Sequence, residues 1–160
     1  MIFYYLDASA WVKRYYQETG TCWVQRLFAN GETLTCASLG VVEVTATLAR
    51  KAKAREISRK QLTQKVRELG EDWSRFIQIH LSVEAVAQAR EVARQGALRG
   101  ADAIHLASAL VLRSRFVEAE DQLVFVVSDR QLKEAVRLAG LSVVDPEEDD
   151  GEDNPRSERG

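Results

Sequence analysis

Two cysteines, Cys22 and Cys36, are all the thiols in this 160-residue chain. That is too few for a disulfide framework or a zinc set, so a reducing, cytoplasmic setting is expected. Long hydrophobic runs are missing as well. The apolar opening, Ile2 to Leu6, is too short for a signal-peptide core, and no stretch approaches the ~20 residues of a membrane span. No internal repeat is visible. A secreted, membrane-embedded or disulfide-stapled protein is therefore not expected. What is present suits one ordinary domain: 46% hydrophobic and 29% charged residues, enough to bury a core.

The net charge of -2 hides a division. Residues 145–160 hold eight acids against Arg156 and Arg159, leaving sixteen acids and twenty bases in residues 1–144. A mildly basic body with an acidic tail suits a protein that meets polyanions, and a merely solubilising tail is the plain alternative. From Pro146 onward apolar residues are almost absent, so 146–160 is expected to be disordered and 1–145 to be the folded domain.

Ile2–Leu6 reads as a strand. Trp11, Val12, Tyr15 and Tyr16 then recur at helical spacing, with Gly20 as the expected stop. A second helix is predicted over Thr21–Ala29, a turn at Asn30-Gly31 and a strand over Thr33–Cys36. Ser38 resembles an N-cap for a helix to about Ala54. The charged segment from Ser58 to about Ile77 carries Leu62, Val66, Leu69, Trp73 and Phe76 on one stripe, and Gly70 interrupts it, so one bent helix or two are expected. Helices are predicted over Val83–Ala93 and Ala101–Leu112, the latter apolar on most of its surface and so buried. Leu123–Val127 is the clearest strand, followed by a helix to Ala139 and a last strand, Leu141–Val144. Strands at both ends with helices between them predict an α/β sandwich with a mainly parallel sheet.

Four carboxylates stand where a solvated charge is not the default. Asp7 follows the first strand directly, and Asp129 follows Val127 after Ser128 alone. The carboxyl ends of parallel strands form the ligand crevice of such sheets. Glu43 lies among valines inside its predicted helix, and Asp102 opens the most apolar one. Gathered carboxylates repel unless a cation joins them. Oxygen donors without a histidine or cysteine set select magnesium or manganese, which suits phosphodiester hydrolysis. Each acid also has a plain reading: helix N-caps at Asp7, Asp102 and Asp129, and an ion pair from Glu43 to a base such as Arg50.

Leu6-Asp-Ala-Ser-Ala-Trp-Val-Lys13, the Glu43 context, Asp102-Ala-Ile-His-Leu-Ala107 and Val127-Ser-Asp129 together resemble the PIN-domain ribonucleases, in particular the VapC-like toxins of toxin–antitoxin pairs. The likeness runs in order over residues 2–144. It implies a three-layer α/β/α sandwich with Asp7, Glu43, Asp102 and Asp129 as an acidic catalytic quartet holding Mg2+ or Mn2+, and with Ser9 and Ser128 supporting it. It further implies endonucleolytic RNA cleavage, a VapB-like antitoxin as partner and a homodimer.

Eight bases fall within residues 50–67, interrupted by Glu56. Arg50, Lys51 and Lys53, with Arg99 ahead of Asp102, are candidate RNA-phosphate contacts, and an ordinary solvated helix face is the alternative. His105 reads as a core histidine rather than a metal ligand, and Cys22 and Cys36 as small core residues. A catalytically silent RNA-binding or scaffold domain of the same fold is the alternative function. A phosphoryl-transfer domain ranks last, because Asp7-Ala-Ser9 is not an Asp-x-Asp motif and no strand ends in a convincing lysine.

Overall fold

The chain's structure, a computed structural model, describes residues 1–149. The first predicted strand and the clearest one lie side by side. β1 (Ile2–Leu6) pairs in parallel with β4 (Gln122–Val126), Leu6 opposite Val126, and on its other side with β2 (Thr33–Ala37). β3 (Ile77–Ile79) extends the sheet beyond β2, and β5 (Ser142–Val144) extends it beyond β4. Among the described residues the order is β3-β2-β1-β4-β5 with every pair parallel, and helices cover both faces. Coverage on both faces explains why β1 and β4 read as continuous apolar runs rather than alternating ones.

The helices are α1 (Ala8–Trp11), which runs into a 3-10 turn over Val12–Arg14, α2 (Thr21–Ala29), α3 (Ser38–Lys53), α4 (Arg59–Trp73), α5 (Val83–Gly96), α6 (Gly100–Phe116), α7 (Arg130–Leu138) and α8 (Pro146–Asp149). The buried α6 matches its all-round apolar surface: residues 105–112 are all buried.

Five expectations are corrected. The first helix ends at Arg14 rather than near Gly20, because Tyr15 turns inward and its hydroxyl donates to the buried Asp72 at 2.6 Å. Gly20 instead precedes α2 with φ +94°, where a Cβ would stand 2.9 Å from Pro146 Cβ. Ser38 is the first helical residue rather than the cap, and its hydroxyl bonds His80 Nδ1 at 3.2 Å. Gly70 does not bend α4, which starts from a capping box between Ser58 and Gln61 and runs unbroken to Trp73. There the chain leaves the helix, because Phe76 stacks on Trp11 with ring centroids 4.5 Å apart, and β3 forms where helix was expected. Finally, Pro146–Asp149 are helical and not part of a disordered tail. Glu147 pairs with Lys13 at 2.9 Å and Glu148 with Lys133 at 2.8 Å. The remainder of the predicted tail, 150–160, lies outside the described residues.

Candidate active site

Adjacent parallel strands deliver two of the four acids to one edge. Asp7 follows β1, and its N–H donates to Val126 O at 3.0 Å, which ties the end of β1 to β4. Its carboxylate caps α1, accepting from Ser9 N at 3.1 Å and Ser9 Oγ at 2.6 Å. Asp129 caps α7 by accepting from Leu132 N at 2.9 Å. The cap reading thus holds for both, and capping leaves the second oxygen of each carboxylate for other work. Ser9 Oγ also accepts from the N–H groups of Ser128 (3.1 Å) and Asp129 (3.4 Å), so one hydroxyl stitches the two strand ends together.

The helices deliver the other two. Asp102 is not a cap: it is the third residue of α6, whose N-cap is Arg99, and it is buried. Glu43 sits mid-way along α3, half-buried. It reaches the crevice because Gly40 lets α3 settle onto β2; a Cβ there would meet Cys36 Sγ at 2.3 Å. Asp7, Glu43, Asp102 and Asp129 line one crevice of about 340 Å3 with Ser9, Arg50 and Arg99. A larger hollow of about 770 Å3 at the α3–α4 junction has Glu56 as its one acid among Lys53, Arg55 and Arg59. The concentrated chemistry is in the smaller one.

Two basic groups of the chain answer these four acids. Arg99 spans one pair, Nε standing 3.1 Å from Asp102 Oδ2 and Nη2 3.4 Å from Asp129 Oδ2. His105, fully buried, serves the other. Its Nε2 donates to Glu43 Oε1 and lies 3.6 Å from Asp7 Oδ1, while Nδ1 is hydrogen-bonded to the Tyr5 hydroxyl at 2.8 Å. Tyr5 is itself fixed by the Ala37 N–H at 3.2 Å. Burial disfavours the imidazolium, yet Tyr5, Cys36 and Glu43 around the ring outweigh it and raise His105 well above its ordinary value. Burial also raises the Asp102 carboxyl; Arg99 pulls it back, and the charges of Asp7 and Asp129 push it up again.

The other candidates fall in different places. The Ser128 hydroxyl donates to Asp145 Oδ1 at 3.1 Å, so only its backbone serves the strand-end junction. Arg50 reaches the crevice wall, but its guanidinium donates to Thr47 Oγ1 at 3.0 Å, and the ion pair expected for Glu43 goes to His105 instead. Lys51 stands over the Tyr16 ring at 3.7 Å and pairs with Glu56, and Lys53 lines the larger hollow. Sequence reading missed Asp145, which follows β5 as Asp7 follows β1. That repeated strand-then-aspartate pattern was a signal available in Val144-Asp145.

Four carboxylates and a serine hydroxyl, without a thiolate, form a hard-oxygen donor set of the kind that suits a hard divalent cation. Among the described residues no three such acids are gathered at ligand spacing, and the Arg99 guanidinium bridges the Asp102–Asp129 gap.

Taken together, the fold and the crevice define a class: a parallel α/β domain whose acidic cleft opens at the carboxyl ends of its two central strands. The chain belongs to the PIN-domain family, whose profile matches residues 4–135, and within it to the VapC-like proteins, as the motifs indicated. It is 34% identical to Ribonuclease VapC45 of Mycobacterium tuberculosis over 139 residues, 87% of this chain and 92% of that protein. PAE2754 from Pyrobaculum aerophilum shares the fold with a TM-score of 0.64 at 22% identity, over 92% of this chain and 91% of that one. VapBC2 from Rickettsia felis, solved bound to a DNA fragment from their promoter, does so with a TM-score of 0.60 at 18% identity, over 91% and 98%. Among the described residues no helix is long and apolar enough to cross a membrane.

Proposed function

We propose that this protein is a metal-dependent endoribonuclease that hydrolyses RNA phosphodiester bonds as the cytoplasmic toxin of a toxin–antitoxin pair. The observation that carries the reading is the convergence of Asp7, Glu43, Asp102 and Asp129 on one crevice, in a chain 34% identical to a protein named a ribonuclease. The four carboxylates would hold Mg2+ or Mn2+, which when bound supplies an activated water and neutralises charge on the phosphate. Ser9 orients Asp7 and binds the Asp129 backbone. His105 is a positioning residue that aims Glu43, fixed on its far side by Tyr5. Arg50, on the crevice wall, stands where an RNA phosphate can be met. A VapB-like antitoxin, consistent with the likeness to VapBC2, and a homodimeric state complete the proposal.

The test uses purified protein freed of any partner and a mixed set of structured RNAs. Cleavage is expected with Mg2+ or Mn2+, and is expected to vanish with a chelator and in Asp7→Asn, which keeps the cap geometry. Equal cutting by Asp7→Asn would assign the activity to a contaminant. RNA binding without cutting by either protein would favour the silent-binder alternative.

A further inference from the structure

The cations facing the crevice are not equivalent. His105 is fully buried and bonded at both ring nitrogens, so it cannot leave. Arg50 is engaged by Thr47 and pairs with none of the four acids among the described contacts. Arg99 differs from both. Its side chain is 70% exposed, and its bonds go to two acids on different elements, Asp102 on α6 (side chain 9% exposed) and Asp129 at the start of α7 (33%). Its backbone is anchored independently, the Arg99 carbonyl accepting from Ala103 N at 3.0 Å. The side chain can therefore swing away without disturbing α6.

A guanidinium is a broad planar fork, and here it holds two carboxylate oxygens at 3.1 and 3.4 Å from different nitrogens. A magnesium ion binds oxygen at about 2.0–2.1 Å and manganese is similarly compact, so either would need these carboxylates drawn closer together than the guanidinium fork holds them. A unit charge and a double charge a few ångströms apart repel strongly in a partly buried site. The two cations therefore oppose each other at these acids.

We infer that Arg99 is a resident counter-ion that competes with the divalent ion for Asp102 and Asp129, and that ion binding displaces its side chain from both. The inference rests on the proposed metal-holding role of these acids. It assigns Arg99 a function distinct from that of the wall arginine: it offsets the repulsion between Asp102 and Asp129, and it weakens ion affinity by the same contact. Ion affinity is thereby set within this chain by an exposed, movable side chain.

The test is a Mn2+ titration read by loss of the free-ion electron paramagnetic resonance signal, at fixed ionic strength and without RNA. The proteins are the full chain, Arg99→Gln, Arg99→Lys, Arg50→Gln and Asp102→Asn. Two ion pairs made by an exposed guanidinium are lost in Arg99→Gln, so Mn2+ should bind roughly threefold to tenfold more tightly. Arg99→Lys should stay near the parent, and Arg50→Gln should change affinity by less than about twofold. Unchanged or weaker binding in Arg99→Gln would overturn the inference and make Arg99 a helper of the ion. Equal tightening in Arg50→Gln would also overturn it, reducing the effect to the general field of the crevice. Those two results leave the metal reading intact, provided Asp102→Asn loses the ion. If Asp102→Asn binds as the parent does, or if neither the parent nor Arg99→Gln binds Mn2+, the metal reading falls and the inference falls with it.

Discussion

Buried carboxylates occur in two settings in this protein. Asp72 accepts from Arg14 Nε at 2.8 Å and from the Tyr15 hydroxyl at 2.6 Å, and Asp145 from Lys133 at 2.8 Å, Ser128 Oγ at 3.1 Å and Glu147 N at 2.9 Å. Asp72 has a cation and a hydroxyl of its own, and Asp145 a hydroxyl and a lysine that it shares with the exposed Glu148. In the crevice, four acids share Arg99 and His105. An acid saturated by its own partners is a structural fastening, whereas acids outnumbering their cations are an arrangement that folding alone would not favour. Such local conflict is what a functional site leaves behind in a sequence otherwise consistent with its fold.

The comparison breaks most visibly in the crevice. Replacing Glu43 by Gln keeps shape and burial but removes a charge, so RNA cleavage should fall at least about a hundredfold. The melting temperature should change little, because relief of mutual repulsion offsets the weaker bond to His105; a loss of fold on circular dichroism would place Glu43 with the fastenings. A smaller effect, of opposite kind, is expected at Asp72. Asp72→Asn should cost about 2–3 kcal/mol in urea unfolding, since the Arg14 charge loses its partner and the buried Tyr15 hydroxyl its strong acceptor. Cleavage per folded molecule should be unchanged.

The smallest effect concerns Asp145 and depends on pH. Burial pushes its carboxyl up, but Lys133, the Glu147 N–H and the Ser128 hydroxyl outweigh burial and hold it below the ordinary carboxylate range. The folded chain therefore keeps this charge to lower pH than the unfolded chain does. The stabilisation is complete above the unfolded value, about 3.9, and is lost as pH falls through the lower folded value. Lys133→Met should cost about 1–2 kcal/mol near neutral pH and flatten the acid limb of a urea-midpoint profile. An unaltered limb would take Asp145 out of the fastening class.

Much of this was legible in the chain. β1 and β4 stood out because a strand covered on both faces needs an unbroken apolar run, and an aspartate just beyond such a run is conspicuous. α2 matched to the residue, since a turn bounds it at Asn30-Gly31. β3 was illegible: three residues with polar Gln78 in the middle and exposed Ile77 carry too little pattern to be told from the end of a helix. The turn after Arg14 was hidden for another reason. It depends on Tyr15 meeting Asp72, 57 residues away, a tertiary contact that overrides helical periodicity. In the site, the four acids were legible one by one, but their pairing was not. His105 was read as core, which it is. That it holds Glu43 from 62 residues away, and that Arg99 reaches across to Asp129, are facts of chain crossing rather than of spacing.

The register of the two central strands has a consequence for synthesis. Ile2 lies opposite Gln122, so β1 waits for its neighbour until the chain has been built as far as Gln122, and Asp129 follows later still. No prematurely terminated product shorter than that can bring the four acids together. For a protein proposed to cut RNA, the order of emergence from the ribosome is itself a safeguard: the nascent chain stays harmless to the message and the machinery producing it until Asp129 has been made.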